Sequence, residues 1–497
     1  VWLLDIESGE AVAQDMAGSV SNVAWAPGGD HYAVAMAPTP MIDDEYMESD
    51  IFVVSTSGAK IRNQMGSVGK MGAFAWSPSG EQIAWIGGVD MHDPSEGRLY
   101  TASSRGGERK ELLPAYQGHV DGFYWNDDNT ITWLGSRGVW TETGRASLDD
   151  IREAGEAPGS GPIIRSVHAR PGQQAIAAIA DSPEHPPEVY LLQPGAEPKR
   201  LTNSNPILAD RRLARQEVVQ FTARDGMELE MMVVHPFEKT RGGSPLIMVI
   251  HGGPEAHYSN GWNTAYSRPA QTLAGQGYLL AFPNYRGSTG RGVEFSKLSQ
   301  HAYGEAEFND IVDAKMHLVE ASLADVDRTG ITGGSYGGYA SMWAASALTE
   351  HFAASVAFVG ISDQISKFGT TNIPKEMFNV HARAWPWDDW MWMLERSPIY
   401  YAGQVKTPLL IMHGADDPRV HPAQSLEMYR HVKVRTDTPV RLVWYPGEGH
   451  GNSKTAARYD YALRLERWMN HFLKEGGEQL PPYEIDHAAR LKSENDG

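Results

Sequence analysis

Five short runs in the second half of the chain are apolar at almost every position: 246–250, 278–282, 355–359, 409–412 and 442–445. A strand with one face in water alternates apolar and polar residues, so runs without alternation must be covered on both faces. Stretches of helical spacing separate them. This pattern specifies a doubly wound, mostly parallel sheet with helices on both sides. In such sheets ligands collect beyond the carboxyl ends of the strands. Chemistry is therefore expected in the residues that follow each run. A hairpin, 217–221 and 229–235 around Arg224-Asp225-Gly226, precedes the first run.

Gly333-Gly334-Ser335-Tyr336-Gly337 fits Gly-x-Ser-x-Gly. Residues 329–332 before it read as the end of a buried strand, and 339–348 after it as an Ala-rich helix. A serine on so tight a strand-to-helix turn is pushed outward, above the sheet edge. Small neighbours are needed because the two backbones close on each other and the serine's dihedrals are strained. The helix start also points N–H groups and a partial positive charge at any oxyanion formed there.

The run 246–250 ends in His251-Gly252-Gly253-Pro254. Two glycines let a backbone N–H approach a substrate carbonyl oxygen closely. The expected oxyanion donors are the N–H groups of Gly253 and Tyr336, with His251 fixing the loop. The run 409–412 ends in His413-Gly414-Ala415-Asp416-Asp417-Pro418-Arg419-Val420. Asp416 and Asp417 both stand where an orienting carboxylate belongs, and spacing does not choose between them. The run 442–445 ends in Pro446-Gly447-Glu448-Gly449-His450-Gly451. His450, between two glycines, is free to face the serine. Ser, Asp, His in this chain order is the triad order of this kind of sheet. Tyr461, Leu465, Trp468 and Phe472 then follow helical spacing and read as core packing.

The first two hundred residues follow a different rule. Ser21-Asn22-Val23-Ala24-Trp25-Ala26-Pro27-Gly28-Gly29 is echoed by Gly72-Ala73-Phe74-Ala75-Trp76-Ser77-Pro78-Ser79-Gly80 and by Gly122-Phe123-Tyr124-Trp125-Asn126-Asp127. A weaker copy is Val167-His168-Ala169-Arg170-Pro171-Gly172. Each copy reads as a strand, a turn and a second strand, with a third strand later. Anchor positions 25, 76, 125 and 169 lie 51, 49 and 44 residues apart. A period of about 45–50 with about four strands per unit fits β-propeller blades. We count about four blades plus a fragment over 1–18, with the recurring aromatic packed between blades. The acidic stretch 43–50 reads as an exposed loop; holding a substrate's ammonium group is the sharper alternative. The expected domains are propeller blades over 1–203, a linker over 204–216, a catalytic α/β domain over 217–475 and a C-terminal tail over 476–497.

Composition narrows the function. A net charge of -19 argues against nucleic acid or an anionic membrane as partner. The absence of cysteine excludes disulfides, thiolate metal sites and a cysteine nucleophile. No apolar run approaches the roughly 18 residues of a membrane span. There is no His-Glu-x-x-His, and the Gly-rich turns lack a Gly-Lys-Ser/Thr ending, so no metal and no cofactor are expected. The chain starts at Val1 inside a predicted strand, with no initiator Met and no signal sequence, so the natural N-terminus and earlier blades are expected to lie outside this sequence. Compartment, cytoplasmic or periplasmic, and a homo-oligomeric state are left open.

With these residues assembled, the chain resembles the prolyl oligopeptidase family of serine peptidases, above all its acylaminoacyl-peptidase and dipeptidyl-peptidase branches. The resemblance is strong over 217–475, in Gly333-Gly334-Ser335-Tyr336-Gly337-Gly338, His251-Gly252-Gly253-Pro254, Asn284-Tyr285-Arg286-Gly287-Ser288 and the 413–420 and 445–451 stretches. It is weaker over the repeats. It implies an α/β-hydrolase domain preceded by a β-propeller. The family pattern His-Gly-x-x-Asp-x-Arg-Val implies Asp417 as the acid and Arg419 as a clamp on a substrate carbonyl, a task that suits a planar, permanently charged guanidinium. His251 stands where the prolyl oligopeptidase and dipeptidyl-peptidase branches carry a tyrosine, which leans toward the acylaminoacyl side. Family propellers have about seven or eight blades, against about four visible here. The implied reaction is hydrolysis of short peptides through Ser335, His450 and Asp417 by way of an acyl-enzyme. The propeller would cap the site and admit only short peptides. Trp385, Trp387 and Trp390, with Phe358 and Tyr336, read equally as a hydrophobic pocket or as packing. The rival readings are a dipeptidyl aminopeptidase, an esterase on the same fold, and a binding scaffold with an inert hydrolase.

Overall fold

The computed structural model describes residues 1–149, 160–169, 172, 175–193, 195–238 and 240–488. The chain divides into two compact units. The first takes Val1–Leu208 together with two later segments, Thr289–Leu298 and Asn372–Arg383, and the second takes the rest.

Among its described residues the first unit is a series of antiparallel sheets. Trp2–Leu4 pairs with Ala11–Ala13. Four-stranded meanders follow over Ser19–Trp25, His31–Ala37, Asp50–Ser55 and Ile61–Gln64, and over Met71–Trp76, Gln82–Gly87, Arg98–Ser103 and Lys110–Glu111. A three-stranded sheet, His119–Trp125, Thr130–Arg137 and Trp140–Ser147, and a four-stranded one, Ile163–His168 to Lys199–Arg200, complete the series. These are β-propeller blades. The Arg170-Pro171 turn of the weakest copy lies outside the described residues.

The recurring tryptophan has a definite task. Trp76 Nε1 donates to the Ala24 carbonyl at 3.0 Å, and Trp125 Nε1 to the Ala75 carbonyl at 3.2 Å. Each indole thus pins its own sheet to the first strand of the sheet before it. Trp25 instead packs edge-on against Tyr32 and is 57% exposed. Between sheets, Ala33, Ile51 and Val53 meet Phe74, Ile83 and Trp85, and Ala84 and Leu99 meet Trp125, Ile131 and Trp133. Each blade buries its faces on its neighbours, as stacked repeats must.

The acidic stretch departs from the expected exposed loop. Ile42–Glu48 is a helix, and Asp43 and Asp44 are buried. Asp43 accepts the backbone N–H groups of Lys375 and Glu376 at 2.6 and 3.0 Å. Lys375 Nζ pairs with Asp44 at 2.7 Å and also with Glu48. The reason is a partner more than three hundred residues away, which folds with this unit and neutralises the acids.

The second unit is built on one sheet: β1 Gln216–Thr222, β2 Glu228–Val234, β3 Ser244–Ile250, β4 Leu279–Asn284, β5 Ala324–Gly334, β6 Ala354–Phe358, β7 Leu409–Gly414 and β8 Val440–Tyr445. The strand order is β1-β2-β4-β3-β5-β6-β7-β8. β1 and β2 pair antiparallel, as do β2 and β4, and all other neighbours are parallel. This is the α/β-hydrolase sheet. β3, β4, β6 and β7 are buried at every residue, as their unbroken apolar runs require. The longest helices are α1 Ala306–Glu320, α2 Tyr336–Ser346, α3 Ala423–Arg435 and α4 Thr455–Leu473. Tyr461, Leu465 and Trp468 of α4 are buried, with Phe472 against Trp468. Pairing of Ile250 with Gly333, Gly334 with Phe358 and Gly414 with Tyr445 brings the strand ends to one rim. No helix among the described residues is long and apolar enough to cross a membrane.

Candidate active site

The site begins with the turn between β5 and α2. Ser335 caps α2 with φ 59° and ψ -120°, a region that side-chain-bearing residues rarely enter. Two bonds hold it there: its N–H donates to the Phe358 carbonyl at 3.0 Å, and its carbonyl accepts from Tyr339 at 2.9 Å. A Cβ at Gly333 or Gly337 would lie 2.5 or 2.2 Å from the Ile250 carbonyl oxygen, so helix and strand meet as closely as the motif demanded.

His450 comes to Ser335 from the loop after β8. Its Nε2 lies 2.9 Å from Ser335 Oγ, and its Nδ1 lies 2.7 Å from Asp417 Oδ2. Two backbone bonds zip its loop to the one after β7: Ala415 N–H to the Tyr445 carbonyl and Asp416 N–H to the Glu448 carbonyl, each 2.9 Å. Asp416 itself is exposed, whereas Asp417 is buried beneath the histidine. Asp417 Oδ1 accepts the N–H groups of Arg419 at 2.8 Å and Val420 at 3.1 Å. Burial pushes the Asp417 pKa up, but hydrogen bonds from His413 and His450 outweigh it and hold the carboxyl well below the usual range. The group stays ionised.

The loop after β3 lies against the serine. A Cβ on Gly252 would fall 3.2 Å from Ser335 Cβ and 3.0 Å from the Gly334 carbonyl oxygen. Gly253 takes φ 116°. The Tyr336 N–H opens α2, where the helix supplies no acceptor of its own. His251 is buried and stacks on Tyr285 at 4.3 Å. Its Nδ1 lies 2.8 Å from the Gly252 carbonyl oxygen and its Nε2 lies 2.9 Å from Ser288 Oγ. Burial lowers its pKa to about 4, so the ring is neutral. It braces the Gly252-Gly253 loop.

Arg419 is half-buried; its backbone N–H reaches Asp417, and its carbonyl accepts from Thr371 Oγ1 at 2.7 Å. The aromatic residues considered together in the sequence go to different neighbours. Phe358 lies against Tyr461 and Tyr266, Trp385 and Trp387 stack on each other beside Phe368, and the Tyr336 ring is buried among Tyr285, Phe308 and Tyr339.

Two residues escaped the sequence reading. Glu307, wholly buried in the first turn of α1, accepts the Tyr336 hydroxyl at 3.1 Å and the Gly304 N–H at 2.6 Å, anchoring the residue next to the serine. Burial pushes its pKa up to about 8 against those donors. His413, the second, touches Asp417. It opens the His-Gly-x-x-Asp-x-Arg-Val pattern, from which no task was read for it.

Residues 264–476 match the model of the prolyl oligopeptidase family. Among curated proteins, the chain is similar to the peptidase YuxL of Bacillus subtilis, 30% identical over 62% of this chain and 47% of that protein. It is also similar to dipeptidyl aminopeptidase BIII of Pseudoxanthomonas mexicana, 31% identical over 62% of this chain and 45% of that protein. The chain thus spans about half the length of these relatives. Among solved structures, the acylaminoacyl peptidase of Pyrococcus horikoshii superposes with a TM-score of 0.80 at 23% identity, covering 99% of this chain and 76% of that one, which shows the fold. The match to the prolyl oligopeptidase family thus covers residues 264–476, the stretch that carries Ser335, Asp417 and His450.

Proposed function

We propose that the chain is a serine peptidase that hydrolyses short peptides by acyl transfer, of the acylaminoacyl-peptidase or oligopeptidase kind. The observation that carries this reading is the line Ser335 Oγ, His450, Asp417, with steps of 2.9 and 2.7 Å. In it, His450 Nε2 takes the hydroxyl proton as Ser335 Oγ attacks the carbonyl carbon. Asp417 holds the ring with Nδ1–H toward itself and stabilises the imidazolium that forms. The Gly253 and Tyr336 N–H groups receive the oxyanion; losing one such donor costs about a hundred- to a thousandfold in kcat. His450 then hands its proton to the leaving amine, and water repeats the sequence on the acyl-enzyme. Arg419 is assigned to a substrate carbonyl.

The test is covalent labelling by a fluorophosphonate probe, followed by turnover of free, N-acetylated and internal peptides. Labelling is expected in the native chain and absent in Ser335→Ala, with kcat lower by about a millionfold. A labelled Ser335→Ala, or a native chain that leaves every peptide uncut, would overturn the reading.

A second reading, dipeptidyl aminopeptidase, is favoured by the name of the Pseudoxanthomonas relative. Asp43, Asp44 and Glu48 lend it no support, because Lys375 and the Glu376 N–H already occupy them. Cleavage restricted to peptides with a free amine would select it. An esterase is the third reading; kcat/KM for matched esters and amides separates it.

A further inference from the structure

His413 sits near the end of β7 with its side chain fully buried. Its Nε2 lies 2.8 Å from the Val420 carbonyl oxygen and 3.2 Å from Asp417 Oδ2. Its Nδ1 lies 2.5 Å from Ser425 Oγ, near the start of α3. A carbonyl and a carboxylate only accept, so the proton belongs on Nε2; Nδ1 is then satisfied by the Ser425 hydroxyl as donor. One carboxylate oxygen of Asp417 therefore serves two imidazoles, His450 on the reacting side and His413 on the buried side.

We propose that His413 is a positioning residue for the reaction assigned above: its Nε2–H fixes the Asp417 oxygen that orients His450 and limits how strongly that oxygen pulls on the His450 proton, while the Ser425 hydroxyl, donating to Nδ1, supports that tautomer. This rests on the reading of Ser335, His450 and Asp417 as a triad. The chemistry is that of a shared acceptor. Each hydrogen bond to a carboxylate favours its ionised form and lowers its basicity. The same two rings are what hold the Asp417 carboxyl low against its burial. Without His413 the oxygen gains one free lone pair and one degree of rotation. It becomes more basic, binds the His450 imidazolium more tightly and leaves less neutral His450 at a given pH.

The neighbouring titratable groups are accounted for. On the β7 side, Asp416 is exposed and Arg419 gives Asp417 its backbone N–H. On the β8 side, Glu448 is turned to Ser453 and Lys454, and Trp444 lies 6.2 Å from the His413 ring. On α3, Glu427 is bonded to Ser362 and Ser366.

The experiment compares the native chain with His413→Leu, His413→Gln and Ser425→Ala. Leu removes the donor, Gln carries an N–H to about the same place, and Ala releases the tautomer. In His413→Leu, kcat is expected to fall about ten- to a hundredfold, the scale of a misplaced reacting group, with KM within about twofold. The acid limb of kcat/KM should move to higher pH. His413→Gln should return most of both, and Ser425→Ala should move the limb the same way by less. The low-field NMR resonance of the proton between His450 and Asp417 should shift in the Leu and Ala variants. That resonance needs no turnover, so it reads the pair independently of peptidase activity. A native chain that the fluorophosphonate does not label would sink the triad reading. An unmoved acid limb and unmoved resonance in a folded Leu or Ala variant would sink the His413 proposal alone. Where the Leu variant does not fold, Ser425→Ala and His413→Gln decide the matter.

Discussion

Ser335 carries a local backbone cost. At φ 59° and ψ -120° it occupies a conformation natural to glycine, and such residues cost about 1–3 kcal/mol each. Glycine at that position relieves the strain and alanine keeps it. Urea titration should find Ser335→Gly about 1 kcal/mol more stable than Ser335→Ala, after the greater chain entropy of glycine is offset, with both inactive. His251 supplies a pH signature. Its pKa falls from 6.5 to about 4 in the folded chain because its ring is buried. Above pH 6.5 folded and unfolded rings are both neutral and stability does not depend on this group. Between 6.5 and 4 only the unfolded ring binds a proton, so stability drops as pH falls, by about 3 kcal/mol in all, and levels off below. Unfolding free energies at pH 7, 5.5 and 4 should show this slope, and His251→Asn should flatten that part of it.

Among the elements, α2 is pressed against the ends of β3 and β6. A Cβ on Gly337 would stand 2.2 Å from the Ile250 carbonyl oxygen, and one on Gly338 2.4 Å from that of Phe358. Neither neighbour is a flexible side chain. Gly337→Ala should cost about 3 kcal/mol by thermal melting and abolish probe labelling, because the helix must back away from the oxyanion loop. This packing was legible in the sequence, since strand, glycines and helix are consecutive and one spacing carries them all. The choice between Asp416 and Asp417 came only from the family pattern, not from spacing. On a loop no period says which of two adjacent carboxylates turns inward; the bond from Asp416 N–H to the Glu448 carbonyl decides it, and that partner lies on another strand's loop. The contact of His413 was hidden for a related reason. A strand buried on both faces gives no alternation from which a side chain's direction can be read. Glu307 reaches Tyr336 from a helix that starts thirty residues earlier, with no motif joining them.

At the scale of the whole molecule, the repeats, and after them the continuous apolar runs separated by helical stretches, marked the two architectures in order. They did not mark the two segments, Thr289–Leu298 and Asn372–Arg383, that belong to the first unit by contact and to the second by position. A chain that leaves one core for twelve residues and returns carries no local sign of it. What holds the second segment is a set of remote pairs: Lys375 with Asp44 and Glu48, the Lys375 and Glu376 N–H groups with Asp43, and Lys70 with Glu376. Residues 209–497 expressed alone should therefore be cut by trypsin after Lys375 and Arg383 faster than the complete chain is. Equal cutting rates would show that the segment is ordered without its acidic partners.

The bend at the end of β5 is gripped by Phe358 on one side and Ile250 on the other, and neither grip involves the hydroxyl. Taking away that single oxygen atom disarms the chain but leaves the mould standing. Ser335→Ala is thereby a snare: mixed with a pool of peptides it should retain uncut the ones it would have processed, so that mass spectrometry of the captured fraction names the natural diet.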